Sequence, residues 1–138
     1  MQIREYKIDS ILVIRLTGDL DSRSAPAAQE QILPSLPADE RILLDLTGVP
    51  FVSSAGLRTM LLIYRQAQVM NSSVALVGLS KELRDVLTAT GFLGFFVVAD
   101  TLSEAVQSLR DSELPNSGVA KSPSKRSPVS DWFGPTTR

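Results

Sequence analysis

The sequence predicts an α/β protein built on one mainly parallel sheet with an antiparallel edge strand at its N-terminus, in all about five strands and four helices. Three observations carry that expectation. Residues 11–16 and 41–46 are nearly continuous in apolar side chains, as strands covered on both faces require. Strand-like runs then alternate at short intervals with segments whose apolar residues recur at helical spacing, a pattern that joins parallel strands by right-handed crossovers. Finally, residues 3–8 and 11–16 are separated only by Asp9-Ser10, a spacer suited to a tight hairpin.

Taken in order, residues 3–8 form the edge strand and 11–16 an interior one. The stretch Thr17-Gly18-Asp19-Leu20-Asp21-Ser22-Arg23-Ser24 is polar and turn-rich, and Ser24 is placed to cap a helix through Ala28 and Ile32. Pro26 fits its first turn. Pro34 lacks a donor and clashes one turn back, so the helix ends or kinks by Leu33 and stops before Pro37. Residues 41–46 are the next strand, after which Ser53 and Ser54 precede a long helix running from near Ala55 to about Met70, with Leu57, Met60, Leu61, Ile63, Tyr64 and Ala67 turned to the sheet.

Residues 74–77 make a short buried strand. Ser80 caps a helix whose Leu83, Val86 and Leu87 point inward, and Gly91 closes it in the left-handed conformation so that Phe92 folds back. Residues 95–99 are the last strand, and Thr101 with Glu104 forms a capping box for a helix carrying Leu102, Ala105, Val106 and Leu109 on one side. The domain is expected to span residues 1–113. Residues 114–138, rich in Ser, Pro, Lys and Arg, offer too little apolar burial to offset ordering entropy and are expected to be disordered. Within them, Trp132 and Phe133 are either a docking peptide or an incidental apolar pair.

Composition narrows the function. With no cysteine and no histidine among 138 residues, disulfides, thiolate nucleophiles, Cys/His zinc sites and histidine-based triads are excluded. There is no Walker loop and no G-x-G-x-x-G, so neither an enzyme nor a cofactor or metal is expected. Residues 1–113 hold ten basic and fourteen acidic side chains, an acidic body that argues against nucleic-acid binding. No apolar run reaches eighteen residues and the first five lack an apolar signal region, which makes membrane insertion unexpected and a cytoplasmic protein the expectation.

The candidate site lies where the third strand ends. A helix N-terminus carries unpaired N–H groups and partial positive charge, so Ser53 and Ser54 are positioned to cap and can also accommodate an added phosphate. Ser54 as a catalytic nucleophile fails for want of a base and of a G-x-S-x-G elbow. Asp45, inside an apolar strand, reads as a buried acceptor for loop N–H groups. Gly48 and Gly56 are read as permitting a turn and a close helix start. Asp19 and Asp21 are turn residues or acidic contacts at a binding edge. Arg58, Leu62, Arg65 and Val69 fall opposite the core face, and the apolar members make this either a partner surface or a plain solvated stripe. The loops after strands two, three and four should meet at one end of the sheet, where open α/β sheets place their ligands.

The residues Asp45-Leu46-Thr47-Gly48-Val49-Pro50-Phe51-Val52-Ser53-Ser54-Ala55-Gly56-Leu57, with Gly18-Asp19-Leu20-Asp21 before them and Val77-Gly78 and Thr90-Gly91-Phe92 after, resemble the STAS domain of bacterial anti-sigma factor antagonists over roughly residues 3–110. The resemblance implies the STAS fold and a protein whose unphosphorylated form binds an anti-sigma factor serine kinase, freeing a sigma factor. It further implies that serine phosphorylation ends the binding and that a metal-dependent serine phosphatase restores it. Ser54 matches the acceptor position. The family commonly carries Asp immediately before it, where this chain has Ser53, so Ser53 stands as the alternative acceptor. Asp19, Asp21, Ser22, Ser53, Ser54, Gly56, Arg58, Leu62 and Arg65 are expected to make the partner-binding set, the helical members because they lie on the helix that Ser54 starts and face away from the sheet. The competing expectation is a STAS scaffold or interaction module in another signalling or lipid-handling complex, since a fold alone does not fix a function.

Overall fold

The computed structural model describes residues 1–111. The expected domain end at Glu113, the expected disorder of residues 114–138 and the two readings of the Trp132-Phe133 pair fall outside the described residues. Chain order runs β1 (Gln2–Ile8), β2 (Ile11–Thr17), α1 (Ala25–Ile32), β3 (Arg41–Gly48), α2 (Ser54–Val69), β4 (Ser73–Val77), α3 (Lys81–Thr90), β5 (Val97–Ala99) and α4 (Leu102–Asp111), with single 3-10 turns at Leu33–Ser35 and Leu93–Phe95. The five strands lie side by side in chain order, β1 antiparallel to β2 and the rest parallel. Asp9 and Ser10 join β1 to β2 with both residues at positive φ, 52° and 70°, the left-handed pair a two-residue hairpin needs to match strand twist.

Because successive strand residues point to opposite faces, the apolar strands feed two cores. On one face Leu12, Ile14, Leu16, Ile42, Leu44, Leu46, Val74 and Leu76 meet Ala28 and Ile32 of α1, Met60, Leu61, Ile63 and Ala67 of α2, and Leu83 and Leu87 of α3. On the other, Ile11, Val13, Leu43, Ala75, Val77 and Ala99 are covered by Ala105 and Leu109 of α4 alone. Three helices thus guard one face and one helix the other, which leaves part of the α4 side open.

Several local expectations need correction. Ser24 occupies the residue before α1 but does not cap it; its backbone is already helical and its Oγ donates to the Asp19 carbonyl (2.8 Å) and accepts from the Asp21 N–H (3.0 Å). The loop is organised by Asp21 instead, whose Oδ1 accepts from the N–H groups of Arg23 (3.0 Å) and Ser24 (3.2 Å). Val86 is 45% exposed, because α3 is anchored by Leu83 and Leu87 one turn apart and Val86 falls to the flank. The last strand is only Val97–Ala99: residues 93–95 curl into a 3-10 turn so that Phe95 and Phe96 can pack their rings on Tyr64, at 5.4 and 5.3 Å between centroids.

Elsewhere the punctuation behaves as read. Helix α1 stops at Ile32 and Pro34 sits in the tighter turn that follows. Ser80 Oγ accepts from the Leu83 N–H at 3.0 Å, and Gly91, at φ 81°, closes α3 with the Phe92 N–H on the Leu87 carbonyl. Thr101 Oγ1 accepts from the Glu104 N–H at 3.1 Å, although the Glu104 carboxylate reaches back to the N–H of Asp100, not to that of Thr101.

Candidate functional site

At the C-terminal ends of β2 and β3 two loops are stitched together by one residue. The Leu20 N–H donates to the Phe51 carbonyl and the Leu20 carbonyl accepts from the Ser53 N–H, both at 2.9 Å, which makes a one-residue parallel bridge between Leu20 and Val52. Its side chain is fully buried in the larger core. This clamp holds the Asp19–Ser22 stretch beside the start of α2. Gly56 makes the approach possible: a Cβ there would overlap the Leu20 carbonyl oxygen and lie 2.9 Å from both Leu20 Cγ and Val52 Cγ1. Gly56 is therefore a close-approach residue, as its position at the helix start suggested. Gly48 has an ordinary backbone; it lets Leu16 and Thr17 approach, with 3.2 Å between a built Cβ and the Leu16 carbonyl, so it serves packing and not a turn.

The two serines are distinct. Ser53 has extended backbone angles (φ −87°, ψ −178°) and is the cap of α2: its Oγ accepts from the Gly56 N–H at 3.3 Å and its carbonyl takes the Leu57 N–H at 2.8 Å. Ser54 is the first residue of the helix and is exposed, with no side-chain hydrogen bond among the described residues. No acidic residue stands in the first turn of α2, so the helix itself carries no charge that opposes an anion on Ser54. Asp45 is buried at the end of β3, where its Oδ1 accepts the Thr47 N–H at 3.0 Å, the structural use read from its setting. Gly78, at φ 80°, packs directly on Thr47, bringing the third loop to the same end of the sheet.

The remaining members of the predicted set divide by role. Asp19 and Ser22 are exposed beside Leu20. Asp21 is partly buried, and the backbone N–H groups of Ser24 and Arg23 hold its carboxyl below the usual carboxylate range, so its negative charge persists while it stabilises the loop. Arg58 and Val69 are exposed on the outer side of α2, whereas Leu62 and Arg65 on the same side are half-buried; Leu62 belongs to neither core. Thr59, on the inner side, accepts from Gln29 Nε2 of α1 at 2.8 Å and so fixes the rotation of α2 that turns this stripe outward.

One residue escaped the sequence reading as a surface feature. Phe51 is 54% exposed, an aromatic ring displayed directly before the serines while its carbonyl is tied to Leu20. The signal was available, since a phenylalanine after Pro50 lies beyond the end of the strand, but apolar character alone does not say whether a loop ring is covered. Among the described residues no group of His, Cys, Asp and Glu could hold a metal ion, and no helix is long and apolar enough to cross a membrane.

A family model for the STAS domain matches residues 2–105. A Bordetella bronchiseptica protein, BtrV, named as a candidate anti-sigma factor antagonist, is 31% identical over 111 residues, which are 80% of this chain and 96% of that protein. Among solved structures, an anti-sigma factor antagonist (STAS) domain protein from Planctomyces limnophilus aligns with a TM-score of 0.72 at 19% identity, covering 78% of this chain and 97% of the other. The phosphorylated form of SpoIIAA, a Bacillus cell fate determinant, aligns with a TM-score of 0.62 at 21% identity, covering 79% and 100%.

Proposed function

The chain belongs to the STAS domain family, and from that membership we propose that it is an anti-sigma factor antagonist: unphosphorylated, it binds an anti-sigma factor serine kinase and releases a sigma factor, and phosphorylation at Ser54 ends the binding. In this reading it works in the cytoplasm as a binding protein, catalyses nothing, and is reset by a metal-dependent serine phosphatase. The observation that carries the assignment is the division of labour between the serines. Ser53 Oγ is committed to capping α2, while Ser54 presents a free hydroxyl at the helix N-terminus. The relatives' names support the reading, and the phosphorylated form of SpoIIAA supports a phosphate borne on this fold.

The partner surface is proposed to combine the Asp19–Ser22 edge, Phe51, the serines, and the Arg58, Leu62 and Arg65 stripe. These sit on two loops and one helix joined by the Leu20 clamp, with Phe51 as the aromatic anchor such interfaces favour. Incubation with a cognate kinase and ATP, followed by mass spectrometry, is the direct test: a single phosphate on Ser54 is expected, unchanged in Ser53→Ala and absent from Ser54→Ala. Phosphate on Ser53 in the Ser54→Ala protein, and none on Ser53→Ala, would reassign the acceptor.

The stripe has its own test. Leu62→Asp is expected to weaken kinase binding while lowering stability by only about 0.5 to 1 kcal/mol, because Leu62 is half-buried and outside both cores. Thermal melts beside a binding titration separate the two effects, and a large fall in melting temperature would make Leu62 a packing residue.

A further inference from the structure

On the α4 side of the sheet the helix covers the middle strands but not the far end of β1 and β2. There a cleft of about 540 Å³ is lined by Gln2, Ile3, Arg4, Arg15 and Thr17. The antiparallel register sets Arg4 directly opposite Arg15 and Gln2 directly opposite Thr17. Two like charges facing each other across adjacent strands destabilise a sheet unless something lies between them. Nothing in the described chain does so: neither guanidinium has a carboxylate within ion-pair distance. Asp45 of β3 is the parallel register partner of Arg15, but its buried carboxylate is turned to the Thr47 N–H.

We propose that this cleft is a ligand site separate from the Ser54 surface, taking a small molecule that bears a phosphate group held between Arg4 and Arg15. The lining is a donor set: two guanidinium forks, an amide and a hydroxyl, with no acidic group among them. Guanidinium forks match phosphate oxygens in pairs, and a dianion between two arginines converts their repulsion into attraction. The cleft volume falls within the range that small ligands occupy. A protein partner would instead call for an apolar centre, and the sole apolar residue in this lining, Ile3, packs its side chain against the core on the opposite face.

The test uses the full chain, labelled with 15N, titrated at constant ionic strength with inorganic phosphate, glucose 6-phosphate and succinate. Saturable shifts centred on Gln2, Arg4, Arg15 and Thr17 are expected for the phosphate compounds. A stronger response to glucose 6-phosphate than to the free ion identifies an ester as the occupant, and the reverse identifies the ion. Arg4→Gln and Arg15→Gln should each weaken the response about tenfold or more, with melting temperature unchanged or slightly raised as the like-charge pair is relieved. The proposal is overturned if no saturable response appears by about 10 mM, where even a weak site should fill, if succinate binds as well as phosphate, or if either variant responds like the parent. Loss of kinase binding in the variants with an unaltered phosphate response would make the cleft a protein contact and overturn it too.

Discussion

Gly56→Ala is expected to destabilise the domain by about 2 to 3 kcal/mol, the net of two opposed effects. Alanine in the first turn of α2 gains up to about 1 kcal/mol of helix propensity over glycine. Against this, its methyl group would occupy the space of the Leu20 carbonyl and press on Leu20 Cγ and Val52 Cγ1. Overpacking of this kind costs about 1 to 3 kcal/mol, and separation of the two loops also strains the Leu20 hydrogen bonds to Phe51 and Ser53. The backbone carbonyl cannot swing aside as a flexible side-chain end would, so the loss wins. A fall in melting temperature of about 8 to 13 °C is expected for a domain of this size. Gly94→Ala is the control: a Cβ there meets nothing within 4 Å, and the melting temperature should hardly move. If the two variants melt alike, Gly56 is not the residue that sets the loop spacing.

The second large effect is on binding. Phosphorylation of Ser54 is expected to lower affinity for the kinase by roughly 30-fold to several thousand-fold without unfolding the domain. A phosphate adds about −1.5 to −2 charges at neutral pH, and the N-terminus of α2, with Arg58 one turn on, can stabilise it in place. On the contact surface the same charge must be desolvated beside Asp19 and the ionised Asp21, and a buried mismatched charge costs on the order of 2 to 5 kcal/mol. Ser54→Asp should reproduce part of the loss, having one charge and fewer acceptor oxygens. Ser54→Ala should bind normally and resist the switch. Ser53→Ala should still be switched but lose about 1 kcal/mol of stability with its cap. Calorimetric titration with melts on the same samples decides: equal affinity of the phosphorylated and unmodified proteins would sink the switch, and a collapsed melt on phosphorylation would make it one of folding.

Much of the architecture was legible because it rests on local rules. The apolar runs at 11–16 and 41–46 read as interior strands, Asp9-Ser10 as a short hairpin, and Pro34, Ser80, Gly91 and Thr101 each marked an element boundary through its own backbone chemistry. The family resemblance then pointed to Ser54. The misreadings fall where a residue had more than one partner to choose from. Ser24 looked like a cap, but its hydroxyl is spent on the Asp21 N–H and the Asp19 carbonyl, while the Asp21 carboxylate gathers the Arg23 and Ser24 N–H groups into a turn ahead of the helix. Residues 95 and 96 looked like strand because aromatics favour strands, yet Tyr64 of α2 offered their rings a better place.

What the sequence determined by itself is therefore the element order, the parallel sheet with its antiparallel edge, and the placement of two serines at a helix start. These follow from periodicity, capping and backbone restriction, which act over a few residues. The tertiary structure alone decided that Leu20 ties the Asp19–Ser22 loop to Ser53, that Phe51 is displayed and Leu62 half-covered, and that the Arg4 and Arg15 end of the first hairpin is left uncovered by α4. Each of those depends on groups distant in sequence competing for the same space or the same hydrogen bond, and that competition is settled only when the sheet is assembled and its helices are laid on it.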